Sequence, residues 1–230
     1  ERETIHPDRS SERAIIQIRV SSDPITNVLV SGSEFVAQPA LSPDGTQLAW
    51  VSWQHPNLPW DNTELRAGAV KAGRVEVSTA IRAGHSSALQ PEWLPDGSLL
   101  FADDVRGRWN LWRHIQGASS VVHSADADTG GPLWVLGARW YAPLANGDVV
   151  TIQTNGDDTV SVLHPDGSCL AILPELTAGT NIEAAAGSKV LVSGAGAQIT
   201  PGLWVVDINE PGNAVPIRGG ETDAALPRPR

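Results

Sequence analysis

The stretch "QPALSPDG" (38–45) runs directly into "TQLAWVSW" (46–53), and 52 residues further on the chain reads "QPEWLPDG" (90–97) followed by "SLLFADD" (98–104). Each copy is a short apolar run, a Pro-Asp-Gly turn and a second apolar run. Asp-Gly between apolar runs signals a tight hairpin, because Gly accepts positive φ and Asp can bond its own backbone. A single hairpin would say little about architecture. Recurrence at a long, nearly fixed period marks a repeat fold.

Taking Gly45, Gly97, Gly147 ("LANG") and Gly187 ("AAAG") as register marks gives spacings of 52, 50 and 40 residues. Propeller repeats such as WD and kelch units have periods of about 40–50 residues. Three strand-like runs follow each mark: "TQLAWVSW", "TELRAGAV" and "RVEVSTAI" after the first, and "SLLFADD", "WNLWRHI" and "SSVVH" after the second. The third set is "DVVTIQT", "TVSVLHP" and "SCLAIL"; the fourth is "KVLVSGA", "GLWVVDI" and "NAVPIR". With the run before each glycine, every repeat holds four strands, the unit of a propeller blade. Runs such as "LAWV" are apolar on both faces, as strands covered by neighbouring sheets should be. A sandwich would need no such internal repeat. The predicted fold is therefore an all-β propeller of four-stranded antiparallel blades at 35–81, 88–123, 139–173 and 181–219.

Before the first whole blade lie "AIIQIRV" (14–20) and "TNVLVSG" (26–32), which match the third and fourth strands of a blade. Residues 14–32 thus read as an outer half-blade. After the fourth blade, "GETDAALPRPR" offers no pair of strands to complete it, and the chain contains no Met. The expectation is an incomplete propeller, a single segment over 1–230 cut from a larger protein.

Composition narrows the function. The 230 residues are 41% hydrophobic and 18% charged, as in a globular domain, and carry nine Trp. A net charge of −10 argues against nucleic acid, whose phosphates need a basic surface. No run approaches the ~18 apolar residues of a membrane span. One cysteine, Cys169, rules out an internal disulfide and points to a reducing, cytoplasmic setting.

The stretch "FVAQPALSPDGTQLAWVSWQHPNLPWDNTE" (35–64) resembles the propeller of bacterial prolyl-oligopeptidase-family serine peptidases, in the branch of the dipeptidyl-aminopeptidases and acylaminoacyl-peptidases. "QPEWLPDGSLLF", "RGRWNLWR", "GGPLWVLG" and "RETIHP" with "AIIQI" extend the resemblance over nearly the whole chain. "SPDG" alone is shared with TolB-like propellers. The resemblance implies a propeller that caps an α/β-hydrolase domain with a Ser-Asp-His triad, restricting it to peptides and small amides. That hydrolase domain is not in these residues. The alternative function is a TolB-like scaffold that binds a protein partner without catalysis.

No catalytic residue is expected within the chain. "GHSSA" (84–88) approaches the G-x-S-x-G nucleophile elbow, but Ala88 replaces its last Gly and a propeller strand, not a helix, follows Ser86. The six His are dispersed, and "DADTGG" (126–131) lacks the spacing and closing Glu of an EF-hand loop. No cofactor or metal is expected. The loop "HPNLPWDNTE" (55–64) is longer than a hairpin needs, and binding residues concentrate on loops of rigid scaffolds. Propeller topology places Trp53, His55, Trp60, Asp61 and Glu64 on one rim, with Arg106 from the next blade and Trp134 from the following connection. Aromatic walls with a few charges suit the capture of a peptide end, with Asp61 and Glu64 as counter-charges for an ammonium and the tryptophans as an apolar wall. The competing expectation is that Trp53 and Trp60 only pack the loop onto its blade.

Overall fold

The computed structural model describes residues 1–8 and 11–222, and these hold nineteen β-strands and no helix. The chain divides into two compact units. The first comprises Glu1–Gly107, Leu111–Val121 and Pro132–Leu136; the second comprises Arg108–Asn110, Val122–Gly131 and Gly137–Arg230.

In the first unit, β1 (Arg2–Ile5), β2 (Ser11–Arg19) and β3 (Ile25–Val30) form a three-stranded antiparallel sheet. The half-blade expected at 14–32 therefore has three strands, because Arg2–Ile5 pairs with Ser11–Ala14. That strand is short and mostly exposed, so it carries no apolar pattern to announce it. Next comes the blade β4 (Phe35–Leu41), β5 (Gln47–Trp53), β6 (Glu64–Lys71) and β7 (Arg74–Arg82). It is followed by β8 (Ala88–Trp93), β9 (Leu99–Asp103), β10 (Asn110–Ile115) and β11 (Ala118–His123), of which Asn110 and Val122–His123 belong to the second unit. Both are simple meanders in which each strand pairs with its sequence neighbours.

The second unit holds two further blades of the same order. One is β12 (Tyr141–Pro143), β13 (Val149–Asn155), β14 (Asp157–Leu163) and β15 (Cys169–Ile172). The other is β16 (Ala178–Ala186), β17 (Lys189–Gly196), β18 (Ile199–Asp207) and β19 (Val215–Gly219). Gly45, Gly97, Gly147 and Gly187 all have positive φ and stand in the turns between first and second strands.

The repeated "QP" has a physical explanation. Gln38 and Gln90 have φ of 50° and 48°, a region that residues other than Gly seldom occupy. Both sit at register shifts that bulge the first strand of their blade, between Ala37 and Ala40 and between Leu89 and Glu92. Pro39 and Pro91 fall inside these shifts, where a ladder donor is not required. The two copies are joined directly: the Gln90 amide donates to Oε1 of Gln38 at 2.8 Å, and the Trp93 indole donates to the Ala40 carbonyl at 3.0 Å.

Middle strands supply the cores. β5 and β9 are almost wholly buried, and Ala49, Val51, Leu65, Leu99, Phe101 and Trp112 form one apolar cluster in the first unit. In the second unit Val150, Ile152, Val160, Val162, Val190, Val192 and Trp204 form another. Fully burying one such side chain stabilises by roughly 1.5–3 kcal/mol. The last strands are mostly exposed, β19 completely so.

Candidate functional site

The loop from Gln54 to Thr63 leaves β5 and returns as β6, and it is fixed at three points. Asp61 closes it locally: Oδ2 accepts the Leu58 amide at 2.9 Å while the Asp61 amide donates to the Leu58 carbonyl at 2.9 Å. Ser87 reaches the loop from the connection between β7 and β8, its hydroxyl donating to the Pro59 carbonyl at 2.6 Å. Buried Thr63 accepts the Ala88 amide and donates to the Ala88 carbonyl, both at 2.8 Å. The Ser87 amide in turn donates to Oδ1 of Asp104 at 2.6 Å, which ties the following loop (104–107) to the same anchor.

The same device recurs in the second unit. Asn110 exchanges hydrogen bonds with the backbone of Ala125, and Oδ2 of Asp158 accepts the Thr180 amide at 2.9 Å. In each case a polar side chain at the start of a third strand satisfies the connection that follows its blade.

Six of the seven residues expected on the rim divide into three groups, and Asp61 stands apart from them. Trp53 stacks on Phe35 with ring centroids 5.2 Å apart, and His55 meets the edge of Phe35 at 5.1 Å. Arg13 covers Phe35 at 4.5 Å. Trp53 and Glu64 also line an open cleft of about 270 Å³ with Asn57, Asn62 and Arg66. Glu64 is ion-paired there with Arg66 at 2.6 Å.

Trp60 and Trp134 form the second group, with ring centroids 4.3 Å apart. Trp60 is half-buried, whereas Trp134 is 74% exposed and is followed by exposed Val135 and Leu136. Arg106 belongs to the third group. Its guanidinium lies 5.1 Å from the centroid of the Trp112 ring, over which Arg82 also lies at 5.3 Å. Arg82 is ion-paired with fully buried Asp103. Asp61 is exposed and engaged in its own loop.

Phe35, Arg13, Ser87, Asp104 and Trp112 were not among the expected rim residues. Trp112 stands in the motif "RGRWNLWR", which marked the region without separating its two tryptophans. Ser86 and Ser87 of "GHSSA" are buried in a connection between strands. A second groove of about 460 Å³ is lined by Gln47, Thr79, Trp93 and His114, among others, and burial pushes the His114 imidazole below its ordinary pKa. Among the described residues no group of three or more His, Cys, Asp or Glu side chains could hold a metal ion.

Similar solved structures superpose on most of this chain. A puromycin hydrolase variant complexed with PGG is 31% identical over 89% of this chain, with a TM-score of 0.80. A puromycin-hydrolyzing peptidase of Mycobacterium tuberculosis is 27% identical over 98% of the chain, with a TM-score of 0.79. The chain spans about a third of the length of each, 32% and 38% respectively. Prolyl oligopeptidase B of Galerina marginata superposes at a TM-score of 0.65 over 86% of this chain and 28% of its own, with 10% identity, a likeness of fold alone. No family model and no curated protein sequence matches the chain.

Proposed function

The chain is a propeller segment of the prolyl-oligopeptidase peptidase family, and from that premise we propose that it is the non-catalytic gate and substrate filter of a serine peptidase. The partner domain in this reading is an α/β-hydrolase of the same protein, and the substrates are peptides or small amides. The observation that carries the reading is the 31% identity to a puromycin hydrolase over 89% of this chain, at a TM-score of 0.80. The "HPNLPWDNTE" loop supports placing the protein in the dipeptidyl-aminopeptidase and acylaminoacyl-peptidase branch. A TolB-like scaffold role has weaker support, a 14% identical likeness of fold at a TM-score of 0.58.

The rim is the part that would meet substrate. Trp53, Trp60 and Trp134 offer rigid apolar area, and Glu64 and Arg66 place charge in the cleft beside Trp53. The loop carrying Trp60 is hydrogen-bonded at both Pro59 and Asp61, so its side chains are held ready before substrate arrives. Preorganisation of this kind saves the ordering cost of binding.

Two measurements test the proposal. A fluorophosphonate probe is expected to label the full-length protein and to leave residues 1–230, expressed alone, unlabelled. Labelling of that shorter chain overturns the non-catalytic assignment. In the full-length protein, replacing residues 55–62 by a tight turn is expected to raise kcat/KM for long peptides relative to a small amide. An unchanged ratio removes the filter role.

A further inference from the structure

We propose that the guanidinium of Arg106, seated over Trp112, reads a carboxylate on the substrate, so that this rim selects peptides presenting a free carboxylate toward it. The inference rests on the peptide-filter reading above and names the substrate chemistry that the filter favours.

The carboxylates around the rim loops are each engaged within the protein. Asp61 accepts the Leu58 amide, Asp104 accepts the Ser87 amide, and Glu64 is paired with Arg66. Asp103 is fully buried, paired with Arg82, and accepts the Val105 amide at 3.0 Å. Arg106 differs from all of these. It is exposed, and no carboxylate of the described residues lies within ion-pair distance of it, although the chain has 26 acidic and 16 basic residues. Among the described residues its ring contact is with Trp112.

An aromatic ring under a guanidinium covers part of its plane and limits its orientations while leaving its N–H groups available. Those N–H groups form a planar fork that matches a carboxylate with two parallel hydrogen bonds. Trp112 is itself fixed, being 8% exposed within the apolar cluster of the first unit. The Arg82 charge over the same ring is already answered by Asp103, which leaves Arg106 as the cation open to a ligand. Arg106 shares an anchor with the aromatic loop, since Ser87 holds both the Pro59 carbonyl and the Asp104 carboxylate.

The test uses the full-length protein and equilibrium binding, which does not depend on hydrolysis. Three reduced-amide tripeptides serve as probes: one with a free C-terminal carboxylate, its C-terminal amide, and an amide ending in a glutamate side chain. The free-carboxylate probe is expected to bind about tenfold more tightly than the amide, the weight of one charge-assisted contact at an exposed position. Arg106→Gln should abolish that preference, and Arg106→Lys should retain part of it because the charge survives and the fork does not. Arg106 is exposed, so neither variant threatens the fold. Recovery of the preference with the glutamate probe identifies the group read as any carboxylate, and failure to recover it identifies the chain terminus; both support the contact. Equal binding of carboxylate and amide, or a preference that survives Arg106→Gln, overturns it. If the preference holds but no peptide is hydrolysed, the peptidase reading falls and the carboxylate contact stands. If peptides are hydrolysed but the binding preference for the carboxylate is absent, the peptidase reading stands and the carboxylate contact falls.

Discussion

The two ends of the blade β4–β7 are built from different kinds of partner. At one end the turn "SPDG" is satisfied by its own sequence: Ser42 donates to Asp44 at 2.6 Å, Thr46 donates to Asp44 at 3.0 Å, and Gly45 donates to the Ser42 carbonyl at 2.8 Å. At the other end the loop 54–63 depends on residues far along the chain. Ser87 holds Pro59, Ala88 holds Thr63, and Trp134 meets Trp60. Local satisfaction makes a turn that can be copied, to the same place in the next blade at Asp96 and to the turn between β14 and β15 at Asp166. Dependence on distant partners makes a surface particular to one place in the fold, which is what a binding rim requires.

The largest loss at the rim end is expected at Asp103. Its carboxylate is fully buried, pairs with Arg82 and accepts the Val105 amide, so Asp103→Ala strands a guanidinium and an amide together. Removing one partner of a buried pair costs about 3–5 kcal/mol. Arg82 retains some solvent contact, so the lower end, about 3 kcal/mol, is expected from urea denaturation. A loss below about 1 kcal/mol, within the range of exposed ion pairs, would mean that this pair does not hold the Arg106 region in place.

Thr63→Val tests the rim side more narrowly, because Val keeps the shape and removes the hydroxyl. The buried amide and carbonyl of Ala88 both lose their side-chain partner. An expected cost of about 1–3 kcal/mol follows from leaving buried groups unsatisfied. Ser42→Ala, the matching change at the turn, should cost about 1 kcal/mol or less: the hydroxyl donates to Asp44 and accepts the Gln47 amide, and because both of those residues are exposed, water can replace it. Equal losses at the two positions would contradict the distinction between the ends.

How far the sequence could be read follows the same division. The Asp-Gly turns were legible because every partner lies within five residues, and the strands because their apolar runs survive on the page. The rim was legible only as a loop of suggestive residues. Ser87 illustrates why: it stood inside "GHSSA", a stretch notable for failing as a nucleophile motif, and nothing local indicates that its hydroxyl fastens a loop 28 residues upstream. Arg106 could be placed on the rim from topology, but its lack of an acidic partner depends on where every nearby carboxylate points. Strand β1 is illegible for another reason, since four largely exposed residues carry no periodicity.

Gly45→Ala probes the turn end through the backbone alone. Gly45 has φ of 72°, and an added Cβ meets no atom within 4 Å. The cost is therefore the left-handed conformation itself, about 1 kcal/mol. Thermal or urea denaturation should register this loss while the carboxylate preference of the full-length protein stays at its unsubstituted value. A change in that preference would show the two ends to be coupled through the blade.

The smallest expected effect lies in the protonation of the turn itself. Hydrogen bonds from the Ser42 hydroxyl, then from the Thr46 amide and hydroxyl, hold the Asp44 carboxyl below its ordinary pKa. Ser98 and Ser168 do the same for Asp96 and Asp166. A folded pKa below the unfolded one means that the unfolded chain binds more protons between the two values, so stability rises with pH there. The contribution is complete above the unfolded aspartate value of about 3.9 and is lost as pH falls through the lowered folded value. Asp44 is fully solvated, so the change is best read from the residue and not from global unfolding. Carboxyl carbon NMR titration should place Asp44 below the ordinary aspartate range and Ser42→Ala should move it upward, because the largest stabilising donor is gone. An Asp44 midpoint that does not respond to Ser42→Ala would mean that the turn is held by its backbone and glycine alone, with the side-chain network of "SPDG" contributing nothing.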